Sequence, residues 1–378
     1  MHPEDLAEGI RAIVSHSPAF PEIKLSVDII ANPKAGGFKR RRFAARRKNE
    51  LQQVVALAAA LPRREKEVQV RLHLTERCGH ASAIAQRVIE RSGANGPDSL
   101  QIIMTAGGDG TSLETAERLL HLPEELKDRF ALLRLPMGTG NDGSEGRDLV
   151  VALGRFLSPL KLERRAAVQV RPAEEGGKSP LWAFNIASVG LDAYVAEKTN
   201  ILKSIFPGDS YKFWVNIATL LYDRAYKVAP MGLKVLPGGG KKPIHASKKL
   251  RLFVAMGASG NRQYGSNKRI LPSEENIVSC SQTSLLRKLM VKGSIETGRH
   301  EGVREIEHFL APKIELDYEE RIPLQCDGEA EVLAGCDFPL VMERVPNLYN
   351  VIVPVDEKKA GKRQQMQAPR SSGSNQKR

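Results

Sequence analysis

A glycine-rich turn between a buried strand and a helix constrains this chain more than any other stretch. The apolar run 100–105 leads into Ala106-Gly107-Gly108-Asp109-Gly110-Thr111-Ser112-Leu113-Glu114, and a helical pattern follows. A carboxylate among three glycines at the C-terminal end of a buried strand lies where open α/β sheets bind ligands, which predicts a phosphate or metal site. Thr111 is predicted to cap the helix, with Glu114 completing a capping box. An ordinary Asp-Gly turn is the alternative.

The first 135 residues alternate strands and helices. Strands are predicted at 25–31, 68–74, 100–105 and 131–135, and helices from the basic run 39–48 through Ala60, at 81–91 and after Asp109. This alternation predicts a parallel sheet covered by helices. One edge of that sheet gathers three glycine-bearing loops, at 32–37, 107–110 and 136–142. Any one of them also fits a plain turn, but their convergence on one crevice indicates ligand binding.

Beyond about residue 165 the pattern changes to short strand-like runs separated by Pro, Gly and Lys clusters, typical of a mainly β domain. Strands are predicted at 167–170, 181–186, 250–256 and 313–316, and helices at 192–205 and 211–222. The predicted organisation is an N-terminal extension (1–24), an α/β nucleotide-binding domain (25–165), a β-rich domain (166–335), C-terminal strands returning to the first domain (336–355) and a disordered basic tail (356–378).

The formal net charge of +13 indicates an anionic partner. No zinc finger or basic-aromatic RNA-binding pattern is present, so nucleic acid is not expected. The basic run 39–48 fits phosphate attraction, contact with anionic lipid or a merely solvated helix face. The stretch 285–290, Leu-Leu-Arg-Lys-Leu-Met, fits either a bilayer surface or a core-facing helix.

The sequence favours a cytoplasmic location. The four cysteines are widely spaced, without a C-x-x-C pair, and the N-terminus lacks the apolar core of a signal peptide. Apolar runs long enough to span a bilayer are absent from the sequence, so any membrane contact is expected to be peripheral, at the inner surface.

Together these motifs resemble the diacylglycerol kinase catalytic-domain family, which includes bacterial soluble lipid kinases and sphingosine and ceramide kinases. The resemblance runs from Asn32-Pro33-Lys34-Ala35-Gly36-Gly37 to Cys326-Asp327-Gly328-Glu329 and includes the motifs at 107–114, 136–142, 184–192 and 260–265. It implies an α/β domain like those of NAD kinases and phosphofructokinases, a sandwich-like β-rich lipid-binding domain, and an active site in the cleft between them. The implied activity is ATP- and Mg²⁺-dependent phosphorylation of a lipid hydroxyl, diacylglycerol- or sphingosine-like, and the related bacterial enzymes suggest a homodimer.

The resemblance also implies the roles of individual residues. Glu329 would be the general base facing the lipid hydroxyl, with Asp109 as its rival, and Asp109 and Asp142 would organise Mg²⁺. The implied nucleotide-binding residues are Asn32, Gly36, Gly37, Gly107, Gly108, Gly110, Thr111, Glu114, Gly138, Thr139 and Asn141. Without the resemblance, Asp327-Gly328-Glu329 reads as a hairpin turn.

Three positions depart from the family pattern. Gln169 replaces an Asp of the metal network, the segment 273–279 lacks the Asp-Gly-x-x-Asp of a structural Mg²⁺ site, and Gly143 stands where a bulky residue is usual. Gln169 supports the alternative of a weak or inactive relative that binds nucleotide or lipid at a membrane surface. An NAD kinase is disfavoured by the 136–142 motif and the long β domain.

Overall fold

The structure, a computed structural model, describes residues 1–355 apart from 94–95, 97, 139–142, 175–178, 206–220, 240–241, 261 and 265–267. Its helices are α1 Pro3–Ser15, α2 Gly36–Lys39, α3 Arg41–Ala59, α4 His80–Gly93, α5 Asp109–Leu120, α6 Glu124–Lys127, α7 Leu149–Gly154, α8 Leu191–Ile205 and α9 Leu285–Thr297, with 3-10 turns at Arg155–Leu157 and Gly335–Asp337.

The strands follow the same chain order. They are β1 Lys24–Ala31, β2 Val68–Leu74, β3 Ser99–Ala106, β4 Phe130–Arg134, β5 Leu160–Pro172, β6 Leu181–Ala183, β7 Ile186–Gly190, β8 Pro230–Leu236, β9 His245–Gly257, β10 Arg262–Tyr264, β11 Lys268–Leu271, β12 Ile277–Ser281, β13 Ile306–Phe309, β14 Lys313–Asp317, β15 Ile322–Cys326, β16 Glu329–Leu333 and β17 Leu340–Pro354.

The N-terminal part is the predicted parallel sheet, in the order β2-β1-β3-β4. Its four strands lie within one residue of the predicted ranges. Both faces are covered, because neighbouring residues of β1 enter different cores: Ile29 packs with α1, α3 and α7, and Ile30 packs with α4 and α5. Burial on both faces explains why β3 and β4 read as nearly continuous apolar runs, whereas the edge strand β2 alternates apolar and polar residues.

The C-terminal part is mainly antiparallel and continues the same sheet path, from β16 to β2. β17 makes the connection, since it pairs antiparallel with β14 and β5 and then parallel with β4 at Val351 and Leu132. The predicted boundary at residue 165 therefore falls inside β5. The predicted strand 181–186 is wrong as one element: β6 ends at Ala183 and β7 begins at Ile186.

Two predicted segments lie wholly or largely outside the described residues. These are the tail 356–378 and the helix 211–222, of which only the last two residues are described, in a helical stretch at 221–225. In the basic run 39–48 most charged side chains are exposed, but Arg47 is buried and pairs with Glu50. Within the described ranges, no helix combines the length and apolar character needed to cross a membrane.

Candidate functional site

The loops after β1, β3 and β4 lie side by side at one edge of the parallel sheet. The backbone N–H of Asn32 donates to the carbonyl of Ala106 at 3.0 Å, and that of Gly37 donates to Met137 at 2.9 Å. Gly37 is required by this approach, because a Cβ atom there would lie 2.6 Å from the Met137 side chain. Gly36 and Gly37 open α2, and the Asn32 side chain accepts the N–H of Lys34, which folds the first loop into an Asx turn.

The turn after β3 starts α5 earlier than predicted. The helix begins at Asp109, and its N-cap is Gly108, which offers no side chain to the first-turn amides. The prediction that Thr111 caps this helix is wrong, because its hydroxyl oxygen instead packs over Gly107, where a Cβ atom would lie 2.5 Å away. Gly108 has open space around its Cβ position. Backbone amides at an uncrowded helix start suit an anion such as phosphate.

Glu114 does not complete a capping box on its own helix. Its carboxylate accepts the backbone N–H groups of Gly79 at 2.8 Å and Ala81 at 3.1 Å, at the start of α4. It therefore caps the neighbouring helix, where a negative charge also suits the helix dipole. This contact ties α4 to α5 behind the glycine turn.

Glu329 reaches this turn from the β-rich part of the chain. β15 and β16 form a two-residue hairpin in which Cys326 pairs with Glu329. Asp327 and Gly328 have φ of 49° and 92°, as a type I′ turn demands, so the hairpin reading is confirmed. The exposed side chain of Glu329 lies against α5: a Cβ atom on Gly110 would be 2.8 Å from its Oε1.

The hairpin is fixed by Asp327, a contribution that sequence reasoning did not assign. Its buried carboxylate accepts the N–H groups of Phe184 at 2.6 Å and of Asn185 and Ile186 at 2.9 Å. Burial raises the pKa of Asp327, while these donors and the nearby Arg134 guanidinium oppose the rise. Two of these amides belong to the gap between β6 and β7 and the third to Ile186, the first residue of β7, so Asp327 holds the chain where the predicted strand divides.

Arg134 is the other residue that sequence reasoning missed, although a lone arginine in the apolar run 131–135 was a visible signal. Its buried guanidinium contacts Glu145 at 3.4 Å and lies 3.5 Å from Oδ1 of Asn185. Gly143 fits against it, because a Cβ atom there would lie 2.7 Å from both Arg134 Nη1 and Asn185 Nδ2. This crowding accounts for glycine at a position where the family has a bulky residue.

The loop after β4 is described only in part. Gly138 is buried beside Met137, whereas Thr139, Asn141 and Asp142 lie outside the described residues. Among the residues that the structure does describe, no three His, Cys, Asp or Glu side chains cluster so that they could hold a metal ion. A Mg²⁺ ion does not need such a cluster, since it commonly takes one or two carboxylates with substrate phosphates and keeps several waters.

Residues 26–150 match the sequence model of the diacylglycerol kinase catalytic domain. Two curated bacterial relatives, each named "Probable lipid kinase YegS-like", extend the similarity beyond that range. The protein from Xanthomonas oryzae pv. oryzae is 24% identical over 284 residues, which cover 71% of this chain and 82% of the relative. The protein from Stenotrophomonas maltophilia is 27% identical over 207 residues, which cover 54% and 60%.

The fold is that of a solved diacylglycerol kinase from Bacillus anthracis. The two structures superpose with a TM-score of 0.50 at 17% identity, over 87% of this chain and 96% of the other. The α/β part followed by the β-rich part agrees with the predicted fold class.

Proposed function

We propose that this chain, a lipid kinase that carries the diacylglycerol kinase catalytic domain over residues 26–150, transfers the γ-phosphoryl group of ATP to a lipid hydroxyl, diacylglycerol- or sphingosine-like. The observation that carries the proposal is the position of Glu329 beside Gly110. It sets a carboxylate next to the glycine turn that suits phosphate, and phosphoryl transfer needs these two groups close together.

ATP would lie along the edge formed by the three loops. Asn32, Gly36 and Gly37 would hold it from the loop after β1, and Gly138, Thr139 and Asn141 would hold it from the loop after β4. Gly107, Gly108, Gly110 and Thr111 would line its phosphates, because the glycines leave backbone N–H groups open to close approach. Glu114 is left out of this set, since its carboxylate is engaged by the α4 amides.

Glu329 would take the proton of the lipid hydroxyl as general base. Its side chain is exposed to an incoming substrate, while the type I′ turn and the Asp327 contacts fix its backbone. Asp109 and Asp142 would hold Mg²⁺ with the ATP phosphates, and the ion would neutralise the charge that develops on the transferred group. Asp109 is the first residue of α5 and lies within the glycine turn 107–110, called here the phosphate turn.

A lipid acceptor would require the enzyme to act at a membrane surface. We propose peripheral action at the anionic inner surface from the cytoplasm, supported by the net charge of +13. The homodimer implied by the family resemblance stays a prediction.

The decisive experiment incubates the purified chain with Mg²⁺, labelled ATP and a panel of lipid alcohols in mixed micelles. We expect one labelled lipid. Asp109→Asn and Glu329→Gln should each lower kcat by about 100-fold or more, because each removes a carboxylate charge that the reaction uses. Neither substitution creates a cavity, so the fold should persist. The KM for ATP should change less in Glu329→Gln than in Asp109→Asn.

Wild-type turnover in Asp109→Asn would contradict the assignment of the site. Nucleotide binding without transfer to any lipid would favour the inactive module, and Gln169→Asp would then test the missing family carboxylate. An effect of Glu329→Gln confined to ATP affinity would assign Glu329 to the cofactor instead.

A further inference from the structure

The first two turns of α9 expose apolar side chains on one side. Leu286 is 72% exposed, Met290 56%, Leu285 52% and Leu289 38%. Single exposed leucines are ordinary, but a contiguous set marks a binding surface. At about 100° per residue the four side chains fall within an arc of about 140°, called here the α9 apolar face. The core-facing reading of 285–290 is therefore wrong.

The opposite side of α9 holds the helix in this orientation. Val291 is buried there, and so is Lys288, whose ammonium group pairs with the carboxylate of Asp223. Arg287 donates two hydrogen bonds to Glu305, at 2.9 and 3.0 Å. Rolling the helix to bury its leucines would break both ion pairs and expose Val291. The apolar face therefore points outward because the buried Lys288 and Val291, together with the two ion pairs, fix the other side.

The charges around this face select an anionic lipid surface. Residues 284–299 contain four basic side chains and one acidic side chain. Arg287 pairs with Glu305 and Lys288 with Asp223, and the chain's net charge of +13 supplies the attraction to an anionic surface. On the helical projection Arg287 and Lys292 flank the apolar face on its two sides. That pattern is typical of helices that lie in a bilayer interface, with leucines among the acyl chains and basic groups at the headgroups.

We infer that the α9 apolar face docks this kinase onto an anionic bilayer, with α9 lying in the plane of the membrane surface. The docking role rests on the proposed function, because the acceptor of a lipid kinase lies in such a bilayer. Leu285, Leu286, Leu289 and Met290 enter the interface, and the ion pairs behind them keep the helix folded as it does so.

The test is sedimentation of the full chain with vesicles of phosphatidylcholine alone or with 30% phosphatidylglycerol, without nucleotide. We expect wild type to bind the anionic vesicles and the double variant L286Q/M290Q to bind them at least about tenfold more weakly. Glutamine is a good helix former, so α9 should persist, which circular dichroism and the Tm check. The matched control is Leu57→Gln on α3. Leu57 has the same exposed fraction as Met290 (56%), and its variant should bind the vesicles as wild type does.

Three outcomes would overturn the docking role: no binding of wild type to anionic vesicles, equal binding of wild type and L286Q/M290Q, or equal loss of binding in Leu57→Gln. A wild-type dimer in analytical ultracentrifugation that L286Q/M290Q converts to monomer would assign the face to a second copy of the chain instead.

Kinase assays separate this inference from the proposed function. With a short-chain, monomeric lipid alcohol, L286Q/M290Q should keep wild-type kcat/KM, whereas with the same headgroup embedded in anionic vesicles it should lose about tenfold, in line with its weaker binding. Vesicle binding that depends on the α9 apolar face, without phosphorylation of any acceptor, would refute the proposed function and leave the docking surface in place.

Discussion

At Gly110 the absence of a side chain sets the distance between the phosphate turn and Glu329. A methyl group there would lie 2.8 Å from Glu329 Oε1, closer than non-bonded atoms settle, so the carboxylate has to move. Because that carboxylate ends a flexible side chain, we expect Gly110→Ala to fold normally, with a free energy of unfolding within about 1 kcal/mol of wild type. Its kcat should fall by about tenfold or more, because a displaced base loses its alignment with the hydroxyl.

Steady-state kinetics and chemical denaturation measure the two effects. Gly154→Ala is the matched control, since no atom lies within 4 Å of a Cβ there, and it should leave kcat unchanged. Full activity in Gly110→Ala would argue against Glu329 as the base.

The reason for glycine at position 143 becomes visible only in the folded structure. The sequence alone marks it only as a departure from the family pattern. In the structure the space of its missing side chain is taken by Arg134 and Asn185, which approach from β4 and from the gap between β6 and β7. The pairing of a small residue with a buried arginine is a tertiary fact that local patterns do not encode.

Among the elements, α4 and α5 are joined through the side chain of Glu114. Glu114 of α5 accepts two backbone N–H groups at the start of α4. We expect Glu114→Ala to lower the free energy of unfolding by about 1–2 kcal/mol, because it removes a charged cap. Its KM for ATP should stay within about twofold of wild type.

Glu114→Gln is the graded comparison. It keeps an acceptor oxygen but loses the charge, so its stability should lie between those of wild type and Glu114→Ala. Urea denaturation and ATP titration measure the two quantities. A rise in the KM for ATP with unchanged stability would restore the nucleotide-binding role that the sequence suggested for Glu114.

The same region shows why strands were easier to predict than caps. β1 to β4 were placed within one residue because the buried strands β3 and β4 are nearly continuous apolar runs and the edge strand β2 alternates apolar and polar residues. The start of α5 was misplaced because the capping rule selects Thr111 by residue type alone. In the structure the Thr111 hydroxyl packs over Gly107 and does not cap the helix. The Asp-Gly hairpin was recognisable because two positive φ angles leave few residue choices.

In the molecule as a whole, one sheet path runs through both halves of the chain, and β17 carries it across. The sequence indicated an α/β part, a β-rich part and C-terminal strands that return to the first part. No local pattern specifies which strands pair when they lie far apart in the chain. The nearness of Glu329 to Gly110 has the same origin. It depends on the register of strands far apart in the chain, so only the family resemblance anticipated it.

The stability of the whole molecule should depend on two histidines of the β-rich part, the buried His300 and the half-buried His308. His300 and His308 have ring centroids 5.1 Å apart, and burial lowers the pKa of both below 6.5. The nearby His300 ring further lowers the pKa of His308, while Glu301 partly offsets the lowering at both histidines and Glu275 does so at His308. The unfolded chain therefore binds more protons than the folded one at pH values just below 6.5, so stability present above that pH is lost as the pH falls through it.

His308→Leu isolates this effect. Among the described residues neither ring nitrogen of His308 has a hydrogen-bond partner, so leucine leaves no donor or acceptor unpaired. We expect the decrease in Tm between pH 7.5 and pH 5.5 to be smaller in His308→Leu than in wild type, because one proton-binding group of the unfolded chain is gone. His121→Asn, at an exposed histidine, should keep the wild-type decrease. Equal decreases in wild type and His308→Leu would show that the acid sensitivity arises elsewhere in the molecule.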